Sequence, residues 1–315
     1  MTDANPGQGE LMDGVVVRAH GKWFTVEDPR TKTVWLATPK GTLKRGRQLS
    51  DPVVVGDRVR IVDVGDGEAR IESVAERRSV LTRPQRGSTV HDQILLANLD
   101  QVLFVFSVRH PEPHRRMLDR FLVLAEDRGL TAMIGVNKMD VDEILPNGEL
   151  LSRSIFGDYE AIYPVFYFSA RSGAGIPPLR AAMQEKTTVL TGPSGVGKSS
   201  ILNALGAERV REVGAISEAT GKGRHTTTSA ELIRLDDETF VADTPGIRSL
   251  AMHGVPPDVL DQRFREFLPY LGRCFYPDCR HLTEPGCAVL DAVAEGAIAP
   301  ERYESYAALR RGERD

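Results

Sequence analysis

The sequence predicts an α/β domain with a parallel sheet and a phosphate-binding loop, set between a small all-β barrel and a helical C-terminal segment. Three observations lead there. A strand, the run Gly192-Pro193-Ser194-Gly195-Val196-Gly197-Lys198-Ser199 and a helix follow one another, which is the strand–GxxxxGK[ST]–helix order of a P-loop. Around it, from about residue 100 to 250, apolar strands alternate with helices, the pattern of a parallel sheet. Before it, residues 11–75 carry only short β-rich runs broken by turn residues, which points to a barrel.

In the N-terminal part the runs are Gly14–Ala19, Lys22–Glu27, Lys32–Thr38, Val53–Val55, Val59–Val64 and Glu68–Val74. His20-Gly21, Asp28-Pro29, Gly56-Asp57 and Gly65-Asp66-Gly67 separate them, and no helical period is visible. An OB-fold is the commonest small barrel of this size. Arg77–Gly87 is charged and poor in apolar residues, so it reads as a linker. Asp100–Val108 is nearly all apolar, as in a strand buried on both faces. Arg115–Arg128 has apolar residues at helical spacing and ends at Gly129. Leu130–Val136, Tyr163–Phe168, Thr187–Leu190, Glu231–Leu235 and Thr239–Ala242 read as strands, Ile176–Gln184 and Lys198–Leu205 as helices. Beyond residue 256 the strands stop, and Val259–Leu271 and Ala299–Arg311 look helical. The expected division is 1–85 for the lead, barrel and linker, 86–252 for the α/β domain and 253–315 for the C-terminal domain.

The net charge of −4 over 315 residues argues against coating nucleic acid by bulk charge. Local basic groups exist at Lys40/Lys44/Arg45/Arg47, at Arg77/Arg78/Arg83/Arg86 and at Lys222/Arg224; each fits either a phosphate contact or a solvated surface. No apolar run approaches the roughly 18 residues of a membrane span. The first residues, MTDANPGQGELMDG, have neither the basic start nor the apolar core of a signal peptide. The expectation is a monomeric, cytoplasmic protein with no membrane partner.

The P-loop glycines let the backbone wrap around phosphate, with N–H groups from Ser194 through Gly195, Val196, Gly197, Lys198, Ser199 and Ser200 available to oxygen. Lys198 reaches the β- and γ-phosphates and the Ser199 hydroxyl takes Mg²⁺. Asn137-Lys138-Met139-Asp140 follows a buried strand and matches NKxD, in which the Asp140 carboxylate accepts from guanine N1–H and N2–H. Adenine would leave that carboxylate unpaired. Asn137 would hold the loop and the Lys138 stem would cover the ring. Ser169-Ala170-Arg171, after another strand, matches an SAx element whose Ala170 N–H meets guanine O6. Asp243-Thr244-Pro245-Gly246 supplies Asp243 to the Mg²⁺ shell and the Gly246 N–H to the γ-phosphate, although it is also good turn chemistry. The loop Gly221–Thr228 offers a threonine to Mg²⁺, assigned here to Thr227. Together these residues indicate a GTP-binding and GTP-hydrolysing protein.

Ras-like proteins carry a water-orienting Gln just after DxxG; here that position is Ile247. Slow intrinsic hydrolysis, accelerated by a partner, is therefore expected. His225 is a candidate to position water, or a solvent-exposed loop histidine.

The three cysteines of the chain and one histidine, Cys274, Cys279, His281 and Cys287, follow C-x₄-C-x-H-x₅-C. A Cys₃His set suits one closed, structural Zn²⁺. Free buried cysteines, or a disulfide with a spare thiol, are the other readings. In the barrel, Trp23, Phe24 and Trp35 are either stacking platforms for single-stranded RNA or core residues.

Common P-loop GTPases run P-loop, switch threonine, DxxG, NKxD, SAx. Here NKxD and SAx come first, so the cyclic order is kept and the cut is moved. With this order, with GPSGVGKSS and GRHTTT, and with a closing Cys/His element, the chain resembles the RsgA/YjeQ family of circularly permuted bacterial GTPases. The resemblance implies an α/β P-loop GTPase domain, circularly permuted, with an N-terminal OB-fold barrel and a C-terminal helical zinc-binding domain. It also implies binding to the small ribosomal subunit and its rRNA, and a role in late maturation of that subunit. A GTP-dependent RNA-binding scaffold with little hydrolysis, and a GTP-switched RNA-processing factor, are the alternatives.

Overall fold

The computed structural model describes residues 10–41, 43, 52–84, 92–206, 230–243 and 255–313. The chain divides into two compact units, one of Met1–Gln101, Arg180–Thr191 and Leu202–Leu250, the other of Val102–Leu179, Gly192–Ile201 and Ala251–Asp315.

The first unit holds the barrel. Its strands are β1 (Leu11–His20), β2 (Trp23–Glu27), β3 (Val34–Pro39), β4 (Arg58–Gly65) and β5 (Glu68–Val74). They run in the order β1-β2-β3-β5-β4, and β1 also pairs with β4, which closes the ring. β3 and β5 are parallel and the other barrel pairs antiparallel. This is the five-stranded OB-type barrel expected. A register shift between Val16 and Arg18 lets the ten-residue β1 bend and serve two partners within the barrel, β2 and β4. Val16, Val26, Val59, Ile61 and Ile71 fill the interior together with Phe24 and Trp35. Those two aromatics are thus core residues, while Trp23 is half-buried with the Lys22 ammonium 5.7 Å from its ring centre. Val53–Val55 is buried without being a strand.

Part of the expected linker is a hairpin strand. β6 (Val80–Pro84) pairs with β7 (Asp92–Ala97). Its charges hid it, since Arg77 and Arg78 are absorbed by Asp57 at 2.7 Å and Asp100 at 3.2 Å. The unit is completed by α3 (Ile176–Met183, in part), β11 (Thr187–Thr191), β12 (Glu231–Arg234) and β13 (Phe240–Asp243). β11 and β13 are parallel, β12 and β13 antiparallel, and β12 meets β1 at Arg18↔Glu231.

The second unit carries β8 (Gln101–Ser107), α1 (Arg115–Asp127), β9 (Thr131–Asn137), α2 (Leu151–Phe156), β10 (Val165–Tyr167) and α4 (Lys198–Ala204), the last in part. β10, β9 and β8 are successive neighbours, and β9 and β10 are parallel. β8 is buried along its whole length, as a continuous apolar run requires when both faces are covered. α1 presents Leu118, Phe121, Leu122 and Ala125 inward, with Phe121 stacked on Phe104 at 5.4 Å.

The C-terminal segment contains α5 (Ala288–Ala294) and α6 (Pro300–Arg310). The helix expected over Val259–Leu271 is instead three short 3₁₀ turns, Pro257–Val259, Asp261–Arg263 and Arg265–Tyr270. Pro269, inside the last of these turns, removes an N–H donor that a continuous α-helix needs. Phe264, Phe267, Val289, Ile298 and Tyr306 form its core, joined by Val123 of α1.

Candidate functional site

Two clusters of the predicted residues lie in the second unit. In the first, the loop 192–197 follows β11 and enters α4. Gly192 (φ +151°) lies so close to β8 that a Cβ there would fall 2.1 Å from the Val105 carbonyl oxygen. At Gly197 (φ +97°) a Cβ would fall 2.5 Å from Asn137 Nδ2. Both positions therefore demand glycine on contact as well as on backbone angle. Ser194 and Gly195 are exposed, as are Ser199 and Ser200 at the start of α4, while Val196 is buried beneath them. Lys198 Nζ donates to the carbonyls of Gly192 at 2.9 Å and Pro193 at 2.6 Å, which keeps the ammonium over the loop.

Asn137, at the end of β9, joins the three motifs. Its Nδ2 donates to the Val196 carbonyl at 2.8 Å and its Oδ1 accepts from the Ala170 N–H at 3.0 Å. The Ala170 N–H expected at guanine O6 is thus already engaged by Asn137. Lys138 Nζ donates to the Gly195 carbonyl at 2.8 Å and to the His110 carbonyl. Asp140 Oδ1 accepts from Ser169 Oγ at 2.5 Å, and that hydrogen bond holds the carboxyl below its usual value of 3.8. Asp140 is an exposed carboxylate at neutral pH, with one oxygen fixed and the other 3.9 Å from Arg171. A fixed, ionised acceptor at the mouth of a phosphate loop can take a paired N–H edge. The region of Ser107, His110 and Pro111 beside this site carried no sequence motif.

The remaining nucleotide residues fare differently. Asp243 ends β13, but its side chain lies outside the described residues. His225, Thr226, Thr227, Thr228, Gly246 and Ile247 also lie outside them, as do Lys44, Arg45, Arg47, Lys222 and Arg224. Lys40 is paired with Glu72 at 2.5 Å.

The second cluster is Cys274, Cys279, His281 and Cys287, whose ligand atoms all lie within 4.8 Å of one another. Cys274 Sγ is 3.9 Å from Cys287 Sγ, and His281 Nδ1 is 3.5 Å and 3.3 Å from those two sulfurs. A tetrahedral ion with metal–sulfur bonds of about 2.3 Å sets sulfurs roughly 3.8 Å apart, so the donor set fits one such ion. Burial, then the neighbouring thiols, pushes Cys279 up to about 12. A cation among the sulfurs would favour the thiolate form there. Burial also lowers His281 below its usual value, leaving a neutral ring able to ligate.

Two neighbours that the spacing did not reveal support the set. Asp261 Oδ2 lies 3.6 Å from His281 Nε2, where a carboxylate would orient the imidazole of a metal ligand. Glu284 accepts from the N–H groups of Arg280 at 3.0 Å, Leu282 at 2.8 Å and Thr283 at 3.0 Å. Burial opposes its charge, but these N–H groups outweigh that and hold it at about 2.

The model of the RsgA GTPase family matches residues 74–253. The chain belongs to the RsgA GTPase family. Its activity is accordingly hydrolysis of GTP. It is 42% identical over 300 residues to a small ribosomal subunit biogenesis GTPase RsgA of Gemmatimonas aurantiaca, covering 94% of this chain and 96% of that one. To the protein of that name from Thermotoga maritima it is 38% identical over 93% of this chain and 94% of the other. The crystal structure of YjeQ from Thermotoga maritima superposes with a TM-score of 0.76 at 34% identity, covering 96% of this chain and 98% of that one. YloQ, described as a circularly permuted GTPase, gives 0.73 at 29% identity over 98% and 97%. The permuted order read from the motifs is thus that of a solved relative.

Proposed function

We propose that the chain is a GTPase of small ribosomal subunit biogenesis, binding that subunit and its rRNA in the cytoplasm as a monomer and hydrolysing GTP to GDP and phosphate under the subunit's stimulation. The observation that supports the nucleotide reading most is the position of Asn137, which bonds the P-loop through Val196 and the SAx element through Ala170. In this reading Asp140 accepts from guanine, and Lys138 covers the base. Ser169, Ala170 and Asn137 frame it, and the N–H groups of residues 192–200 surround the phosphates. Lys198 leaves its loop carbonyls for the β- and γ-phosphates. Ser199, Thr227 and Asp243 would hold Mg²⁺, which would neutralise phosphate charge. Gly246 senses the γ-phosphate, His225 orients water, and the apolar Ile247 leaves the basal rate slow. The Cys₃His set holds one structural Zn²⁺. The functional domains of this reading are 1–85, 86–252 and 253–315.

The test is GTP hydrolysis by the full chain with and without isolated small ribosomal subunits, with Lys198→Ala as the blank. Strong stimulation by small and not large subunits is expected. Fast turnover by the isolated chain, or no stimulation, would count against the proposal.

A further inference from the structure

Between β8 and α1 the chain carries no recognised motif, yet it borders both loops that hold the nucleotide in the reading above. Val108 N donates to the Asn137 carbonyl at 3.1 Å. Ser107 Oγ donates to the Pro111 carbonyl at 2.9 Å. Pro111 Cδ lies 3.6 Å from where a Cβ on Gly195 would sit. The backbone around His110 is therefore pinned on both sides. His110 itself is left-handed at φ 51°, a conformation that non-glycine residues adopt at some cost. Its partner Lys138 is left-handed as well, at φ 65°. Two such residues face each other through one hydrogen bond, from the Lys138 ammonium to the His110 carbonyl. The same ammonium donates to Gly195, so two of its three N–H groups are used on main-chain oxygens from two different segments. The His110 side chain is exposed and its ring makes no hydrogen bond among the described residues.

We propose that His110 is a positioning residue for the guanine nucleotide, acting through its main-chain carbonyl: the left-handed turn presents that oxygen to Lys138 and fixes the lysine before the base arrives. The proposal rests on the assignment of Lys138 to the base. A lysine stem left free loses rotamer freedom when a ligand fixes it; one already held by two carbonyls loses less, which favours binding. Since the carbonyl acts and the imidazole does not, any residue that accepts the left-handed backbone serves. Glycine and asparagine do so, and a β-branched residue does not.

The experiment is release of fluorescent GDP from the full chain, followed by stopped flow. His110→Val is expected to speed release about tenfold, the order set by one charge-assisted hydrogen bond. His110→Gly and His110→Asn are expected to recover most of that loss. In a Lys138→Ala chain, itself faster than the parent, His110→Val is expected to add nothing, because both changes remove the same contact. Release from His110→Val at the parent rate would overturn the proposal, as would His110→Gly releasing as fast as His110→Val, or an additive effect in the Lys138→Ala chain. If Lys138→Ala and Asp140→Ala both leave GDP release unchanged, the base-site assignment itself fails and this inference goes with it.

Discussion

Arg302 of α6 is fully buried and forms the centre of an ionic group that joins three segments of the second unit. Its Nη1 donates to Asp119 Oδ1 of α1 at 2.6 Å and its Nε to Glu266 Oε1 at 2.6 Å. The same Asp119 oxygen accepts from Tyr159 OH at 2.6 Å, and the guanidinium lies 4.6 Å from the Phe264 ring centre. Burial works against the Arg302 charge, but Asp119 and Glu266 outweigh it and raise its pKa. Burial likewise raises Tyr159, so its hydroxyl stays a donor. Asp119→Ala removes one charge-assisted hydrogen bond, of about 1.5–3 kcal/mol, and strands a buried tyrosine hydroxyl at about 1–3 kcal/mol. Glu266 still faces the guanidinium, which limits the uncompensated charge, so the expected loss is about 3–4 kcal/mol, within the range for a broken buried pair. Tyr159→Phe removes only one donor and should lose about 1 kcal/mol. Asp119→Asn keeps an acceptor but not the charge and should fall between them. Urea unfolding followed by far-ultraviolet circular dichroism, with each transition fitted separately, measures the series. A loss below about 1 kcal/mol for Asp119→Ala, or one no larger than that of Tyr159→Phe, would refute the reasoning.

Other expectations follow from the two clusters. Asp140→Asn exchanges a double acceptor for an acceptor–donor pair, so GDP affinity should fall about 30-fold while xanthosine diphosphate, with its N1–H and C2 carbonyl, should gain; competition against fluorescent GDP measures both, and a variant that still prefers GDP sinks the assignment. Ser169→Ala removes the main cause of the lowered Asp140 pKa and should raise it, as read by NMR titration of the carboxyl. Because a lowered carboxyl keeps its charge until pH falls through the native value, Asp140 should stay ionised below the usual carboxylate range and its contact with guanine should be lost only there; an Asp140 carboxyl that titrates above 3.8 in the same NMR experiment contradicts the Ser169 contact. Metal analysis should find about one zinc per chain, and Cys287→Ser, at a buried position of the C-terminal core, should lose it and the protection of α5 from hydrogen exchange. Equal protection with and without chelator would show that the cluster holds no structural ion.

The parts of the site that could be read in the sequence are those where chemistry dictates residue type. Gly192 and Gly197 are forced because an added Cβ would fall 2.1 Å and 2.5 Å from its neighbours, Lys198 and Asp140 by charge, and the cysteines by the donor set that a metal would need; such constraints leave the same letters at the same spacing. The barrel was legible for a related reason: alternation and turn residues recur wherever one face of a strand is buried. What stayed hidden acts through the main chain or through partners distant in sequence. The His110 carbonyl serves as an acceptor for any residue that accepts the left-handed backbone, so no single letter marks it. Asp119, Glu266 and Arg302 look like ordinary surface charges on helical or polar stretches, because 183 positions separate Asp119 from Arg302 and only the fold brings them together. The failed helix at Val259–Leu271 shows the same limit in reverse. Its apolar period is real, and Phe264 and Phe267 do face the core. But a period of three to four is met by successive 3₁₀ turns as well as by an α-helix, and Pro269 inside the segment removes a donor the α-helix would use. Periodicity thus tells which side chains are buried, and proline positions tell which backbone buries them.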